Sequence, residues 1–247
     1  MNAIPRIIHY CWFGVKPKPA LVLRCIDSWR KFAPGFEIRE WNEESLPEMR
    51  KVKFASQALA AGKWAFASDW ARFKVLYDHG GLYFDTDVEL IRPIESIVAD
   101  GEFIALEVRP RNESVPLVAP GLGMALRKGS PLAKAMLDVY GEAEFSDETV
   151  GNRVTALLGT QMENVAVDAV SAVDYKGEKI VVYPSEYFSP IASDGKMHMT
   201  ENTVAIHHYA MSWAGPRLKI ARWLSWHGME PLVKWVVKLN RGRASGR

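Results

Sequence analysis

Residues 80–87, Gly-Gly-Leu-Tyr-Phe-Asp-Thr-Asp, contain the features that decide the fold of this chain. The two glycines end the helical pattern that precedes them, and Leu82 to Phe84 form an apolar run suited to a short, buried strand. Asp85 and Asp87 follow directly, so two carboxylates stand at the carboxyl end of that strand. Because open α/β sheets bind ligands at this end of their strands, the sequence predicts a ligand site here.

A divalent cation is the best explanation for the acidic pair. An Asp-x-Asp sequence can hold Mg²⁺ or Mn²⁺ through one or two carboxylates, while water and substrate phosphates complete the coordination shell. The alternative is that two acidic residues merely end a strand and face water. The buried approach through residues 82–84 favours the cation, because carboxylates at the end of a core strand are costly without a neutralising charge. The predicted function of the pair is a metal clamp on a diphosphate.

Strand and helix patterns alternate along the rest of the chain. Strands are predicted over residues 4–12, 36–41, 82–84, 88–91, 103–107, 124–127, 180–183 and 203–207. Helices are predicted over residues 19–32, 56–79, 131–140 and 148–158. This alternation predicts an α/β sandwich around a central, mainly parallel sheet.

The composition is that of a globular chain with an uneven charge distribution. The 247 residues are 48% hydrophobic and 24% charged, which is enough to bury a core without disulfide bonds. The net charge of +2 does not indicate nucleic-acid binding, but residues 214–247 hold eight basic residues and one acidic residue, which leaves the first 213 with −5. The sequence has only two cysteines, no recognisable signal sequence and no apolar run long enough to span a membrane. These features favour a cytoplasmic protein.

Asp69 and Arg72 form a second candidate group. They are three residues apart in the predicted helix 56–79, so they share one face, and the short connection to Asp85 keeps them near the acidic pair. The alternative is an exposed ion pair within the helix. Aromatic residues around the pair argue against full exposure to solvent. These are Phe66, Trp70 and Phe73.

The combined pattern resembles the sugar-nucleotide glycosyltransferases of family 32. The similarity lies in residues 67–73 (ASDWARF) and 77–87, in residues 4–14 (IPRIIHYCWFG), in Ser28-Trp29, and in residues 205–209 (AIHHY) followed by Ser212-Trp213. This family contains bacterial capsular and lipopolysaccharide sugar transferases and fungal initiating mannosyltransferases, and it is related to the large glucosylating toxins. The matching stretches cover most of residues 4–213 in the expected order.

The resemblance implies a fold and a metal site. It implies a nucleotide-binding sandwich of the GT-A type over residues 1–213, with residues 214–247 as a basic, Trp-rich helical extension. The Asp-x-Asp motif would bind Mn²⁺ or Mg²⁺, with Asp87 as the direct ligand and Asp85 contacting the ribose and the metal shell. A late-strand histidine, His207 or His208, would complete the metal or phosphate contacts. The alternative is that these two are ordinary strand-end histidines.

The resemblance also implies how the donor is held. Asp69 and Arg72 match the positions that hold the donor sugar and its phosphate side, and Tyr83 matches a tyrosine near the nucleotide. Two groups of aromatic and polar side chains complete the predicted donor site. Tyr10 or Trp12 would stack on the base, and Ser212 and Trp213 would belong to a closing loop that reaches the leaving diphosphate, although Trp213 could equally pack in the core.

These features together predict a metal-dependent, retaining glycosyltransferase. It would move a sugar from a UDP- or GDP-sugar to a hydroxyl of a glycan or lipid-linked acceptor, as in the synthesis of a capsule or other surface polysaccharide. Residues 214–247 would rest on an anionic membrane at its inner face, or else form a last helix with a solvated basic face. The other candidates are a phosphatase of the haloacid dehalogenase type, whose later metal motif is missing from the sequence, and a non-catalytic nucleotide-sugar binding module.

Overall fold

The computed structural model describes residues 3–107, 116–146, 148–191 and 196–210, together with the single positions 220, 224 and 229. The strands are β1 (Ile7–Cys11), β2 (Glu37–Trp41), β3 (Gly81–Tyr83), β4 (Val88–Leu90), β5 (Phe103–Glu107), β6 (Leu117–Val118), β7 (Met124–Leu126), β8 (Ser171–Tyr175), β9 (Glu178–Tyr183) and β10 (Ala205–His207). The α-helices are α1 (Ala20–Phe32), α2 (Lys53–Ala60), α3 (Trp64–His79), α4 (Glu95–Ala99), α5 (Pro131–Glu142) and α6 (Val150–Leu158). Short 3₁₀ helices cover Pro47–Lys51, Gly159–Asn164 and Ser185–Tyr187.

The main sheet has the strand order β2-β1-β3-β7-β5-β9-β8, with β6 beside β5. Strands β2, β1, β3, β5 and β9 run in one direction, whereas β7 and β8 run against them. The predicted α/β sandwich with a mainly parallel sheet is therefore confirmed. Strands β4 and β10 form a second, antiparallel sheet, and β4 begins directly after Asp87.

The start of β3 can be built only from glycine. Gly80 and Gly81 have φ angles of +67° and +116°, in the region that L side chains rarely adopt. A Cβ at Gly80 would lie 2.6 Å from the amide nitrogen of Lys128, and one at Gly81 would lie 2.6 Å from the carbonyl oxygen of Ile7. The two glycines thus let β3 enter between β1 and β7, which places Asp85 and Asp87 at the sheet edge.

Helix α1 fixes the strand that follows the acidic pair. The indole of the fully buried Trp29 donates a hydrogen bond to the Val88 carbonyl oxygen at 2.8 Å, and the hydroxyl of Ser28 accepts one from the Leu90 amide at 2.9 Å. Both bonds satisfy buried polar groups, so breaking them would leave donors or acceptors unpaired in the core. The position of β4, and with it the backbone after Asp87, is therefore set by α1.

The structure corrects the sequence prediction in two places. The helix predicted over residues 56–79 is two helices, α2 and α3, because Gly62 adopts a φ of +65° between them. Strand β8 was not predicted. Strand β6 and helix α4 were not predicted either, since they have only two and five residues. Residues 214–247, Ser212 and Trp213 lie outside the described residues apart from positions 220, 224 and 229. Within the described residues, no helix combines the length and apolarity needed to cross a bilayer.

A buried histidine joins β1 to the neighbouring strands. His9 accepts a hydrogen bond from the Trp41 indole at its Nδ1 (3.0 Å), so its Nε2 carries the proton that it donates to the Gly80 carbonyl oxygen at 2.8 Å. Burial lowers the pKa of His9 to about 4, and the charges of Arg39 and His79 act in the same direction. His9 is therefore a neutral, structural histidine at physiological pH.

We expect acid to destabilise the fold through His9. Because the pKa of His9 lies below its unfolded value of 6.5, the unfolded chain binds more protons between pH 6.5 and 4, and stability falls as the pH drops through this window. The expected loss from pH 7 to 4.5 is about 2 kcal/mol in the free energy of unfolding, measured by urea titration. The variant His9→Gln should lack this component, whereas His198→Gln, at an exposed position, should keep it. Equal pH slopes in both variants would contradict the assignment.

Candidate active site

Asp85 is held at the end of β3 by contacts from two other segments. Its amide donates to the Gly121 carbonyl oxygen at 2.8 Å, and its Oδ1 lies 3.2 Å from Nη2 of Arg72. A Cβ at Gly121 would lie 1.9 Å from Oδ2 of Asp85, so the carboxylate lies directly against the glycine Cα. The direction of this carboxylate is therefore fixed by the segment before β7 as well as by β3.

Arg72 links the two candidate groups. Only 3% of its side chain is exposed, and its Nη2 lies 2.9 Å from Oδ1 of Asp69 in addition to its contact with Asp85. The guanidinium also lies 5.0 Å from the centre of the Tyr83 ring, a cation–π distance. The alternative of an exposed ion pair is thus wrong, and Asp69 and Arg72 belong to the same site as the acidic pair.

Burial makes Asp69 bind a proton more readily than an exposed carboxyl does. Burial raises its pKa to about 7, and Asp85 acts in the same direction, while the Arg72 guanidinium opposes both. One cation between two carboxylates cannot fully neutralise both of them, which explains why the more buried carboxylate takes up a proton readily. The protonated form of Asp69 can donate a hydrogen bond, and the ionised form can only accept one.

Asp87 faces β10 and the turn that follows it. Its Oδ1 lies 3.1 Å from Nε2 of His207, and its Oδ2 accepts a hydrogen bond from the Ala210 amide at 2.7 Å. Burial alone would raise the pKa of Asp87, but His207 and the Ala210 amide outweigh it and hold this pKa below its usual value. In the same way, burial lowers the pKa of His207, yet Asp87 raises it overall.

The structure answers which of the two late histidines faces the acidic pair. His208 points to Glu89, with 2.7 Å between its Nε2 and Oε2 of Glu89, and Arg24 lies 3.3 Å from the same oxygen. His207 instead contacts Asp87, and its Nδ1 is buried with no hydrogen-bond partner. His207 is therefore the candidate metal or phosphate contact, and His208 belongs to a neighbouring polar cluster.

The residues around Asp87 are suited to a divalent cation that shares its shell with a substrate. No group of three or more His, Cys, Asp or Glu side chains in the described part of the chain is arranged to hold a metal ion by itself. A carboxylate and an imidazole are suitable ligands for Mn²⁺, and such ions commonly take only one or two carboxylates and complete their shell with phosphates and water.

The predicted aromatic contacts fall into different environments. Tyr10 is 5% exposed, packs edge-on against Trp29 at 5.5 Å between ring centres, and donates a hydrogen bond to Glu40. Tyr83 is buried behind Arg72, so it supports the guanidinium. Trp12 is half-buried, with its indole donating to the Lys16 carbonyl oxygen at 2.9 Å, and it is the better placed of the two predicted base-stacking side chains.

Gly121 and the Ser189–Tyr209 pair are features of the site that the sequence prediction missed. Gly121 directly follows residues 108–120, a Pro-rich stretch that the sequence predicts only as a loop. Its role depends on a contact with a carboxylate 36 positions earlier, and no local pattern encodes such a contact. The hydrogen bond between Ser189 and Tyr209, 2.7 Å long, is likewise formed between segments that the sequence does not relate.

The comparison with known families fits this geometry. Residues 19–104 match the family described as "Glycosyltransferase sugar-binding region containing DXD motif". Residues 19–104 are a DXD-type glycosyltransferase region. The resemblance drawn from the sequence is thereby confirmed, and the motif is Asp85-Thr86-Asp87, at the end of β3.

Individual proteins similar to this glycosyltransferase region are distant from it. The chain is 24% identical over 116 residues to inositol phosphoceramide mannosyltransferase 1 of Schizosaccharomyces pombe, covering 44% of this chain and 36% of that protein. It is 29% identical over 90 residues to an uncharacterized glycosyltransferase of Acanthamoeba polyphaga mimivirus, covering 34% and 36%. The matches thus span just over a third of the length of these curated relatives. Among solved structures, the PaToxG glycosyltransferase superposes with a TM-score of 0.46 at 19% identity, covering 65% of this chain and 73% of that one.

Removing the Arg72 charge should destabilise the protein far more than removing that of Asp69. The variant Arg72→Met leaves Asp69 and Asp85 without their shared cation in a buried site, and we expect a loss of about 3–5 kcal/mol in the free energy of unfolding at pH 7. In Asp69→Asn the Arg72 guanidinium keeps its ion pair with Asp85. Because burial already favours the neutral form of Asp69, the loss in the free energy of unfolding should be at most about 1 kcal/mol. Urea unfolding measures both. Equally small losses would show that the cluster is solvated.

A methyl group at position 121 should disturb the Asp85 carboxylate. In Gly121→Ala the new Cβ cannot coexist with Oδ2 of Asp85, so the carboxylate must turn away from Arg72, at a cost of about 1–3 kcal/mol in the free energy of unfolding. The matched control is Gly141→Ala in the last turn of α5, where no heavy atom lies within 4 Å of the new Cβ, and where alanine should stabilise the helix by at most about 0.5–1 kcal/mol. Thermal or urea unfolding compares the two. Equal stability of both variants would refute the close contact.

Proposed function

We propose that this protein is a metal-dependent, retaining glycosyltransferase that uses a nucleotide-sugar donor and a hydroxyl acceptor, on a sheet of the GT-A type. The observation that carries the proposal is the position of the matched DXD motif. Asp85 and Asp87 lie at the end of a buried strand, with Arg72 and Asp69 on one side and His207 on the other. This is the sheet edge at which α/β proteins bind nucleotides.

Asp87 would hold the cation, Asp85 would support its shell, and His207 would orient Asp87 and face the phosphates. Bound there, a divalent cation supplies Lewis-acid stabilisation of the charge on the leaving diphosphate. The chain contributes the direction of these ligands: the Ala210 amide and the His207 imidazole fix both oxygens of Asp87. Fixed ligands need little reorganisation as the leaving charge develops.

Asp69 and Arg72 would orient the donor sugar. Both side chains are nearly buried and hold each other at 2.9 Å, so a sugar that hydrogen-bonds to them is restricted in position and rotation. Because Asp69 has a pKa of about 7, it can donate to one sugar hydroxyl or accept from another without a large free-energy change. We assign no side chain as a nucleophile. In the proposed front-face displacement the acceptor attacks from the side of the leaving diphosphate, to which it gives up its proton.

The proposal also covers the acceptor and the cellular location of the enzyme. The fission-yeast relative is named as a transferase that adds mannose to a lipid, which supports a lipid-linked acceptor for this chain as an alternative to a free glycan. The +7 charge of residues 214–247 supports contact with an anionic membrane from the cytoplasm, with residues 1–213 as the catalytic domain. Synthesis of a capsule or another surface polysaccharide is the proposed role.

A thermal-shift screen with UDP- and GDP-sugars, with and without Mn²⁺, tests the function. At a ligand concentration of 100 times Kd, the expected stabilisation is about 2.7 kcal/mol, or roughly 5–10 °C in Tm. Asp87→Asn should weaken the metal-dependent binding at least about tenfold, because the metal loses a charged ligand. The control Asp78→Asn removes a carboxylate that pairs with Lys74 on α3, away from β10, and should bind normally.

Two results separate the possible outcomes of this screen. Chromatography detects whether the bound sugar is hydrolysed or transferred. Turnover of the sugar identifies an enzyme, whereas binding without turnover identifies a binding module. Metal-independent binding that Asp87→Asn leaves unchanged would refute the metal clamp.

A further inference from the structure

The turn after β10 holds an unusual backbone conformation beside Asp87. Tyr209 has a φ of +49°, in the left-handed region that bulky side chains rarely adopt. Such a conformation costs about 1–3 kcal/mol and persists only where surrounding contacts enforce it. Strained residues of this kind concentrate at ligand sites.

A hydrogen bond and a ring contact restrain the Tyr209 side chain. Its hydroxyl shares a hydrogen bond of 2.7 Å with the hydroxyl of Ser189, a fully buried residue. Ser189 is itself anchored, because its amide donates to the Ser185 carbonyl oxygen at 2.7 Å. The Tyr209 ring also packs on the His207 ring, with 4.1 Å between the ring centres. The Tyr209 side chain therefore connects the turn both to the buried Ser189 and to the His207 imidazole, which faces Asp87.

The turn directs successive donors at Asp87. The His207 imidazole approaches Oδ1 at 3.1 Å, the His208 amide donates to the Asp87 carbonyl oxygen at 2.9 Å, and the Ala210 amide donates to Oδ2 at 2.7 Å. A residue with ordinary helical or extended angles at position 209 would carry the chain in another direction and remove the Ala210 amide from the carboxylate. The left-handed angle at Tyr209 is thus what brings Ala210 back to Asp87.

We propose that Tyr209 and Ser189 are positioning residues for the cation side of the site. Their hydrogen bond holds the turn in its left-handed form, and the Tyr209 ring fixes the plane of His207. Asp87 and His207 are thereby presented as one prearranged pair to a divalent cation and the diphosphate that it carries. This inference rests on the proposed function, since it assigns a purpose to the pair only if a cation and a nucleotide bind there.

The test uses Tyr209→Phe, which keeps the ring on His207 and removes only the hydroxyl, and Ser189→Ala, which removes the partner hydroxyl. We expect each variant to weaken Mn²⁺-dependent binding of a UDP- or GDP-sugar about tenfold, the lower end of the effects seen when groups that orient metal ligands are lost. The double variant should bind no more weakly than either single variant, because both substitutions remove the same Ser189–Tyr209 hydrogen bond. The control Tyr187→Phe removes a hydroxyl from the same region, where the ring packs on Tyr183 at 4.9 Å, and should bind as the wild type does.

A second measurement is independent of the donor. Hydrogen exchange of the Ala210 amide, followed by NMR, should be several-fold faster in Tyr209→Phe and Ser189→Ala than in the wild type and in Tyr187→Phe, because the turn no longer holds this amide on Asp87. Unchanged exchange would overturn the inference. Faster exchange with unchanged Mn²⁺-dependent binding would also overturn it, since the bond would then hold the turn without serving the site.

The wild-type protein separates this inference from the function on which it rests. A wild type without metal-dependent nucleotide-sugar binding would refute the proposed function, and the positioning role with it. A wild type that binds as expected, with variants that bind equally well, would refute the positioning role alone.

Discussion

The buried guanidinium of Arg72 is the interaction on which the arrangement of the site depends. It lies between the Asp69 and Asp85 carboxylates, which come from a helix and from the end of a strand, and it joins these two elements by charge. The helix could not approach the strand so closely with two unpaired carboxylates at the contact, because buried charges are tolerated only when they are compensated. Arg72 is thus both a structural cation and a candidate ligand contact, and a substitution there affects folding and binding together.

The site has two halves that reach the DXD motif in different ways. The proposed sugar side, with Asp69, Arg72 and Asp85, is built within 17 residues of sequence, from α3 and the strand that follows it. The proposed cation side joins Asp87 to His207 and Ala210, which are at least 120 positions away, through the pairing of β4 with β10. The first half forms wherever α3 and β3 form. The second depends on the completed fold, because a strand from the far end of the catalytic region must arrive in register.

This difference explains how much the sequence could predict. The glycine pair, β3, the acidic motif and the i, i+3 spacing of Asp69 and Arg72 are local patterns, and the structure confirms their placement. The choice between His207 and His208, the reversed direction of β7 and the contact of Gly121 with Asp85 depend on pairings between distant segments. Local preferences contain no information about such pairings. Likewise, the break at Gly62 was missed because apolar residues continue on both sides of it with helical spacing.

The contact between Gly121 and Asp85 has a mechanical consequence. With the glycine Cα against the carboxylate and the backbone of both residues hydrogen-bonded at 2.8 Å, neither can move without the other. A displacement of residues 119–123 by a fraction of an ångström therefore becomes a rotation of the Asp85 side chain. Residues 120–123 are buried, so such a displacement requires a change in the packing of the core around β7. The orientation of the Asp85 carboxylate is thus tied to the packing of the sheet interior, and it resists change for as long as that packing holds.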